Sequence, residues 1–433
     1  MSTHLPGDRG RRGRRGRVRV GRIVAWSAAL MAVIAAIVVF ALNQTGSRAH
    51  LEARPSTGRL AGGGALHAAR SDRYLRLATQ GIATARAFWW NPEHAWFNDR
   101  LNDTDQYPLG TIWTLFPLWE AMSGVAIAEP SPAHSDAVRS VADFAETYFN
   151  HAMGGYGPYP GSHTPGDEIW VDDNAWWGLA FVDAYRATHE RRYLDDAALA
   201  LRFIDTRGWD AAHQRMRWST RVANKGSNLE TLGGAAALAA ELYEHTGRTQ
   251  FLASARRYIG AADAFATPSG KNGWLYGTRD EPPLTYIEGT MIGAQLAMCH
   301  TGASRACAAA WSLGMHALKR WNARDPFYKP PADTIMFRYM LQLAADKRAA
   351  REATRRHIRI APTALYDWAR VAAEDAVRNA RVGELYVKFW DGSAAAKHRD
   401  GYRSYRYGQL MTHAAPVALF AWLAAVPRLQ SAG

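Results

Sequence analysis

The chain has 433 residues, 48% of them hydrophobic, and a formal net charge of +13 at pH 7. About half of that charge comes from the first 22 residues, so the rest is only modestly basic and its charge requires no nucleic-acid partner. Two cysteines spaced as Cys299 and Cys307 do not favour a metal site, and no metal or organic cofactor is implied.

The first predicted element is a membrane anchor. Eight arginines, interleaved mainly with glycine, occupy residues 9–22, and the twenty residues 23–42 carry no charge. Twenty apolar residues span a bilayer as a helix, whereas the apolar core of a signal peptide has about 7 to 15 residues. Because a basic cluster beside an apolar span stays in the cytoplasm, we expect a cytoplasmic tail at 1–22, a transmembrane helix at 23–42 and an extracytoplasmic remainder. A cleaved signal peptide is the alternative.

A flexible tether is predicted after the anchor. Residues 43–70 are small and polar and include three consecutive glycines, a composition typical of flexible linkers. No second linker follows, so we expect a single folded domain over residues 71–433. The sequence carries no signal of an oligomeric state.

Helix-period apolar patterns recur along that domain. They cover residues 71–90, 111–127, 137–152, 172–189, 192–206, 228–246, 249–265, 286–300, 305–321, 333–346, 362–381 and 408–425. Part of a repeat is visible, because residues 184–194 resemble residues 242–252 at an offset of 58 residues. Twelve helices in succession predict six hairpins.

Alternate helices differ in polarity, which separates inner helices from outer ones. Residues 171–185 and 229–243 are apolar almost all round, as expected of helices buried on every side, whereas 192–206 and 249–265 have one apolar stripe and a charged face. Six buried helices ringed by six amphipathic ones predict an all-α fold, an (α/α)6 toroid. The few polar side chains of the inner helices stand at the helix starts, so we expect the cleft at that end.

Residues 170–177, Trp-Val-Asp-Asp-Asn-Ala-Trp-Trp, are the strongest candidates for chemistry. Carboxylates prefer water to apolar surroundings, and indole rings pack flat against sugar faces. Paired carboxylates are the groups that cleave glycosidic bonds. The run therefore predicts acid–base chemistry on a carbohydrate. The alternative is structural, with Asp172 capping its helix and Asp173 interacting with the helix dipole.

Residues 170–181 resemble glycoside hydrolase family 76, the endo-α-1,6-mannanases, whose hallmark is an aspartate pair followed by Asn-Ala-Trp. Residues 285–294 resemble the second signature of that family, and residues 407–409, Tyr-Gly-Gln, open a last helix as in family members. The resemblance covers about residues 75–425.

The resemblance implies that Asp172 is the nucleophile and Asp173 the general acid/base of a retaining mechanism. Neighbouring Cα atoms are about 3.8 Å apart, and short side chains diverging from a helix start can place carboxyls near the roughly 5 to 5.5 Å of retaining enzymes. Asp173 must be protonated and Asp172 ionised. A neighbouring carboxylate and aromatic surroundings both raise a carboxyl pKa.

Seven further residues are candidates for sugar binding: Trp170, Asn174, Trp176, Trp177, Asn228, Tyr286 and Glu288. Trp170 is the expected stacking platform, because at helical spacing at least one of the other tryptophans belongs to the core. Glu288 stands where the family often has glutamine, and it either contacts a subsite or caps its helix. Asn228 likewise binds a sugar hydroxyl or caps a helix.

Cys299 and Cys307 flank a predicted turn between two helices. In an oxidising compartment they would form a disulfide across that turn, and otherwise they would remain two buried thiols.

Together, the resemblance and the anchor predict a membrane-bound enzyme that cleaves α-1,6-linked mannan or lipoglycan of the cell envelope. One alternative is a mannan transglycosylase, which passes the glycosyl group to another sugar instead of water. Another is a catalytically inactive glycan-binding envelope protein. A toroidal epimerase is a further possibility on fold alone.

Overall fold

The computed structural model describes residues 62–101, 109–161, 164–221, 228–268, 274–277, 282–321, 330–387, 390 and 408–432. All of them belong to the second of two units into which the chain divides after Leu60. The predicted cytoplasmic tail, the transmembrane helix and the first part of the tether lie outside the described residues. The prediction of a flexible tether is wrong for its last part, because residues 62–70 are helical. Alanine and leucine follow the glycines there, and both favour a helix.

Thirteen helices follow in chain order within the described residues. They are α1 (Gly62–Trp89), α2 (Ile112–Ala128), α3 (Pro132–Ala145), α4 (Val171–Thr188), α5 (Arg192–Phe203), α6 (Asn228–Thr246), α7 (Thr249–Asp263), α8 (Thr285–His300), α9 (Ser304–Arg320), α10 (Pro330–Ala345), α11 (Lys347–Arg355), α12 (Pro362–Asn379) and α13 (Leu410–Ala432). All twelve predicted helices have a counterpart, and only the nine-residue, highly charged α11 was missed.

The largest error after the tether concerns α3, which was predicted at 137–152. It begins five residues earlier because Ser131 caps it, accepting a hydrogen bond from the backbone N–H of His134, and Pro132 occupies its first turn. The end of the predicted range is instead a short strand.

The helices form two concentric layers. Helices α2, α4, α6, α8, α10 and α13 pack each against the next, and α13 returns to α2, so that the inner ring closes. The others pack outside it. Composition explains the division: α8 buries 14 of its 16 residues, whereas the outer helix α9 buries 7 of 17. The predicted (α/α)6 toroid is confirmed.

Glycine allows inner helices to approach closely. A Cβ atom on Gly289 of α8 would lie 2.6 Å from the Cα atom of Met336 in α10, so no larger residue fits there without moving the backbone. Helix packing at this distance keeps the ring tight.

Helix α13 is the one described helix that is long and apolar enough to cross a membrane, over Leu410–Leu429. Because 94% of that window is buried inside the toroid, its hydrophobicity is that of a core helix.

Short antiparallel β-hairpins connect five outer helices to the next inner helix. They pair Trp90–Asn91 with Trp96–Phe97, Phe149–Asn150 with Gly155–Tyr156, Trp209–Asp210 with Arg215–Met216, Ala266–Pro268 with Trp274–Tyr276, and Arg381–Val382 with Leu385–Tyr386. These hairpins lie at the end of the ring where inner helices begin, which we call the cleft end.

The fourth residue of an inner helix holds the preceding hairpin in three cases. Its side chain accepts a hydrogen bond from the backbone N–H of the tyrosine that ends the hairpin. The pairs are Asn174 with Tyr156 at 2.8 Å, Glu288 with Tyr276 at 2.8 Å, and His413 with Tyr386 at 3.3 Å. Satisfying a buried donor in this way fixes each hairpin over the helix start.

A buried ion network occupies the other half of the ring. Arg338 of α10 donates hydrogen bonds to Glu120 of α2 at 2.9 Å and to Asp183 of α4 at 2.6 Å. Arg186 lies 3.3 Å from Asp183 and 3.2 Å from Glu241 of α6. Four inner helices are thereby joined across the interior by charge-assisted contacts.

Cys299 and Cys307 form a disulfide with a sequence separation of eight residues. It joins the last turn of α8 to the first turn of α9, at the end opposite the cleft end. Of the two possibilities left open by the sequence, the bonded one is present.

Candidate active site

A cleft of about 400 Å³ opens at the cleft end, over the starts of α2, α4, α6 and α8. It is lined by Thr111, Trp113, Pro158, Tyr159, Trp170, Asp172, Asp173, Trp176, Trp218, Glu230 and Tyr286. Six of these side chains are aromatic and three are carboxylic acids. A concave aromatic surface with a few convergent acids suits a sugar whose bond is to be broken.

The aspartate pair reaches the cleft because of how α4 begins. The backbone N–H of Val171 donates to the carbonyl oxygen of Trp218 at 2.8 Å, and Trp170 forms a β-bridge with Ser219. Trp170 takes the N-cap position in an extended conformation and makes no side-chain capping bond. Asp172 and Asp173 are therefore the second and third helical residues, and their side chains are partly exposed to the cleft. Asp172 is not the N-cap, contrary to the structural alternative.

The environment of Asp172 raises its pKa to about 6. Burial among the cleft walls is the main cause, and the nearby charge of Glu230 acts in the same direction. The indole N–H of Trp218 lowers the pKa of Asp172, because it favours the ionised carboxylate. The geometry is too poor for a hydrogen bond between them, and neither Trp218 Nε1 nor Asp172 Oδ1 has a hydrogen-bond partner. At neutral pH Asp172 is consequently mostly ionised.

Asp173 has a pKa raised well above its ordinary value. Burial is the first cause and the charge of Asp172 the second, since two adjacent carboxylates resist simultaneous ionisation. The pair shares protons as a unit. In the arrangement that results, Asp172 carries the charge and Asp173 carries the proton.

Three aromatic rings form one wall of the cleft. The ring of Trp176 lies 5.8 Å from that of Trp113 and 6.3 Å from that of Tyr286, and the last two are 6.1 Å apart. Trp170, partly exposed, stands beside the aspartates. Trp176 and Tyr286 are themselves buried, at 2% and 9% exposure, so the partly exposed Trp113 and Trp170 are the rings that offer flat apolar faces to a pyranose ring.

The model of glycosyl hydrolase family 76 matches residues 75–337, which is more than half of the chain. The chain belongs to glycosyl hydrolase family 76. Membership of this family makes it a glycoside hydrolase, and the cleft with its two aspartates lies inside the matched region. The comparison with curated proteins finds no match.

Solved structures share the fold. A family 76 α-mannanase of Bacteroides thetaiotaomicron has 16% identity and a TM-score of 0.67, over 84% of this chain and 99% of that one. An inactive α-1,6-mannanase of a Salegentibacter species, with two adjacent aspartates replaced by alanine and α-1,6-mannotetrose bound, has 15% identity and a TM-score of 0.62, over 82% and 99%. A cellobiose 2-epimerase of Bacillus thermoamylovorans has 14% identity and a TM-score of 0.54, over 81% and 98%. At these identities the likeness concerns the fold alone.

Among the predicted sugar-binding residues of this family 76 chain, Trp170, Trp176 and Tyr286 line the cleft with the aspartates. The backbone of Asn228 begins α6, but its side chain lies outside the described residues.

Three other predicted sugar-binding residues do not line the cleft. Asn174 is fully buried, and its amide is used up by backbone groups of Tyr156 and Trp170. Trp177 is fully buried against Tyr156, with ring centroids 5.5 Å apart. Glu288 is fully buried, neither caps its helix nor meets the cleft, and accepts from the Tyr276 hairpin instead.

Five polar or aromatic residues of the cleft were missed by the sequence analysis: Thr111, Trp113, Tyr159, Trp218 and Glu230. Glu230 is the third residue of α6, as Asp173 is of α4, and that shared position was a usable signal. Trp218 has no such signal, because it enters the site through a backbone contact with Val171 that joins distant segments. Within the described residues, no group of three or more metal-ligating side chains occurs.

Proposed function

We propose that this chain hydrolyses α-1,6-mannosidic bonds of an envelope mannan or lipoglycan with retention of anomeric configuration. The observation that carries the proposal is the adjacent aspartate pair in an aromatic cleft, where the raised pKa of Asp173 favours the proton of the pair on Asp173 and the charge on Asp172. Those are the protonation states that a retaining mechanism requires at its start.

In the first step, a carboxylate oxygen of Asp172 attacks the anomeric carbon. The bond to the leaving sugar breaks, and its oxygen takes the proton of Asp173. The positive end of α4 and the Trp218 indole favour the ionised nucleophile before attack. The products are a glycosyl ester on Asp172, an ionised Asp173 and a shortened glycan.

In the second step, Asp173 removes a proton from water, which attacks the anomeric carbon and releases Asp172. Esterification has by then removed the negative charge of Asp172, one of the two causes that raise the pKa of Asp173. The pKa of Asp173 is therefore lower once the ester exists. This suits a residue that donates a proton in the first step and accepts one in the second.

The choice of substrate is supported by the cleft wall and by the neighbours. The partly exposed rings of Trp113 and Trp170 offer apolar faces to the cleft, and the structurally similar Salegentibacter enzyme is described as an α-1,6-mannanase with bound mannotetrose. The predicted anchor at residues 23–42 would hold the domain on the outer side of the membrane, close to membrane-rooted glycans.

The decisive experiment follows the products of linear α-1,6-mannan treated with the full chain, by NMR at early times. We expect mannose oligomers whose new reducing ends first appear in the α configuration. Asp172→Asn should abolish release and Asp173→Asn should slow it by at least about 100-fold, whereas the exposed Asp195→Asn should do neither. No turnover by the parent chain, or β products first, would refute the proposal. Added mannobiose as acceptor separates hydrolysis from transglycosylation.

Azide distinguishes the two roles, because it is a nucleophile that needs no general base. On an activated aryl mannoside, Asp173→Ala with azide should give the α-mannosyl azide, since the ester on Asp172 still forms. Asp172→Gly with azide should give the β-mannosyl azide by direct displacement. The opposite pattern would exchange the two assignments.

A further inference from the structure

A basic surface occupies α11 and the residues that follow it. We define the basic face as Lys347, Arg348, Arg351, Arg355, Arg356 and Arg359, all of which are exposed. The other side of the helix is packed against the domain through the buried Ala349 and Ala353. The positive charges therefore project from the exposed side of a helix whose other side is packed against the domain.

Little negative charge opposes this surface. Among the described residues, Glu352 pairs with Arg355 at 2.6 Å, whereas Arg348 and Arg356 donate to neutral oxygens of His300 and Ser304. No described carboxylate pairs with Arg351. The surface is thus a net source of positive potential, which attracts anions over about 8 to 10 Å in physiological salt.

The basic face also contains a concavity. A surface cavity of about 360 Å³ is lined by Ala350, Arg351, Thr354, Arg355 and Ile360. Arg355 is paired with Glu352, but the guanidinium of Arg351 borders a small apolar surface and can bind phosphate oxygens in the planar, multidentate way typical of arginine.

The basic face lies at the end of the toroid opposite the cleft. Helix α11 directly follows the end of the inner helix α10, and Arg356 contacts Ser304 at the start of an outer helix. Helix α1 begins at this end too, because its early residue Ser71 bonds to Ala424, late in α13. The chain that arrives from the predicted anchor therefore enters the domain on the side that carries the basic face.

We propose that the basic face rests on the anionic lipid headgroups of the membrane, so that the cleft points away from it. This inference rests on the proposed membrane anchor and not on the mannan-cleaving chemistry. An α-helix rises 1.5 Å per residue, so the 18 residues of α4 hold the cleft roughly 27 Å from the opposite end of the ring. The enzyme would then cut glycan segments that reach at least this far from the lipid surface, and spare the segment next to the lipid.

The test uses the full chain in lipid nanodiscs, either of neutral phosphatidylcholine or with about one third phosphatidylglycerol. Hydrogen–deuterium exchange of residues 347–359 should slow in the anionic discs only, and 0.5 M salt should restore fast exchange. The triple variant Arg351→Gln, Arg355→Gln, Arg356→Gln should lose this protection. The matched control Arg207→Gln, Arg215→Gln, Arg217→Gln, near the cleft end, should keep it.

Equal exchange in both kinds of disc would overturn the proposal. So would a chain that does not assemble with discs, and so would protection that appears only when soluble dextran sulfate is added to neutral discs, which would identify an anionic polysaccharide as partner. Hydrolysis of soluble mannan oligosaccharides in the same samples reports separately on the proposed function, because it does not depend on the lipid.

Discussion

Helix α4 carries aspartates near both of its ends, and their environments differ. Asp172 and Asp173 begin the helix in the cleft, and Asp183 lies three turns later, inside the ring. Burial raises the pKa at both ends. The neighbouring charges differ: at the cleft end the charge of Asp172 raises the pKa of Asp173, whereas Arg338 and Arg186 lower that of Asp183. The first arrangement retains a proton for chemistry and the second secures an ion pair.

Helix α6 repeats this plan. Glu230 in its first turn lines the cleft, and Glu241 lies close to Arg186 at 3.2 Å. Eleven residues separate the two acids in α6, as they separate Asp172 from Asp183 in α4. Eleven residues make slightly more than three turns, so the two acids of each helix lie on the same face of it. In both helices the acid of the first turn lines the cleft, and the acid eleven residues later joins the buried ion network.

The largest expected effect separates the two ends of α4 by a matched substitution. Asp173→Asn should lower kcat by about 10²- to 10⁴-fold, the usual contribution of a general acid. It should not lower the free energy of unfolding at neutral pH. Because the folded-state pKa of Asp173 is raised, folding loses stability as the pH rises through that pKa, and the amide removes this penalty.

Asp183→Asn should do the reverse, lowering the free energy of unfolding by about 3 kcal/mol because Arg338 loses a buried partner. Urea unfolding and kcat, measured on both variants, check the contrast. Equal losses of stability, or equal losses of activity, would show that the two ends do not have separate roles.

Removal of the shared cation is expected to have the next largest effect. Arg338→Met should lower the free energy of unfolding by about 3 to 5 kcal/mol, because Glu120 would then be buried without a cation and Asp183 would keep only Arg186. Chemical denaturation measures it, with the exposed Arg378→Met as control, for which little change is expected. A parent-like denaturation midpoint would mean that the network does not hold the ring together.

The disulfide lies at the structural end, and its loss should spare the chemistry. Replacing Cys299 and Cys307 together by alanine should lower the free energy of unfolding by roughly 2 to 3 kcal/mol, as expected for a short closed loop in the chain-entropy description. Because the bond is far from the starts of the inner helices, kcat and KM on mannan should stay at parent values. A fall in kcat at temperatures where the variant is folded would contradict this separation.

Much of the architecture could be predicted from polarity, because helices that are apolar all round must be buried, and here the inner ring buries them. The site was harder, because which side of the first turn faces the cleft depends on the direction in which each helix begins. Residues 2, 3 and 6 of α4, namely Asp172, Asp173 and Trp176, face the cleft, whereas Asn174 and Trp177 at positions 4 and 7 face away.

The same positions apply to α8 and α6. Tyr286, second in α8, faces the cleft and Glu288, fourth, holds a hairpin. Glu230, third in α6, faces the cleft. Successive residues turn by 100°, so this rule follows from helix geometry once one helix has been oriented. Trp218 escapes it, because a contact between distant segments leaves no periodic trace in the sequence.

The smallest expected effect concerns Glu230, whose charge acts on Asp172 in the cleft. Asp172 must be ionised to attack, so kcat/KM should fall as the pH drops through about 6, the pKa to which its environment raises it. The charge of Glu230 is one cause of that raised pKa. Glu230→Gln keeps the shape and removes the charge, so the pKa of Asp172 should fall and the acidic limb should move to lower pH.

A pH profile of kcat/KM on a mannan oligosaccharide measures this shift, with the exposed Asp195→Asn as a control whose acidic limb should not move. A purely structural Glu230 would lower activity equally at every pH and leave the limb in place. A shift toward higher pH would mean that loss of this acid disturbs the contact with Trp218, the group that favours ionised Asp172. Only a shift to lower pH supports the view that like charges at this end set the protonation state for attack.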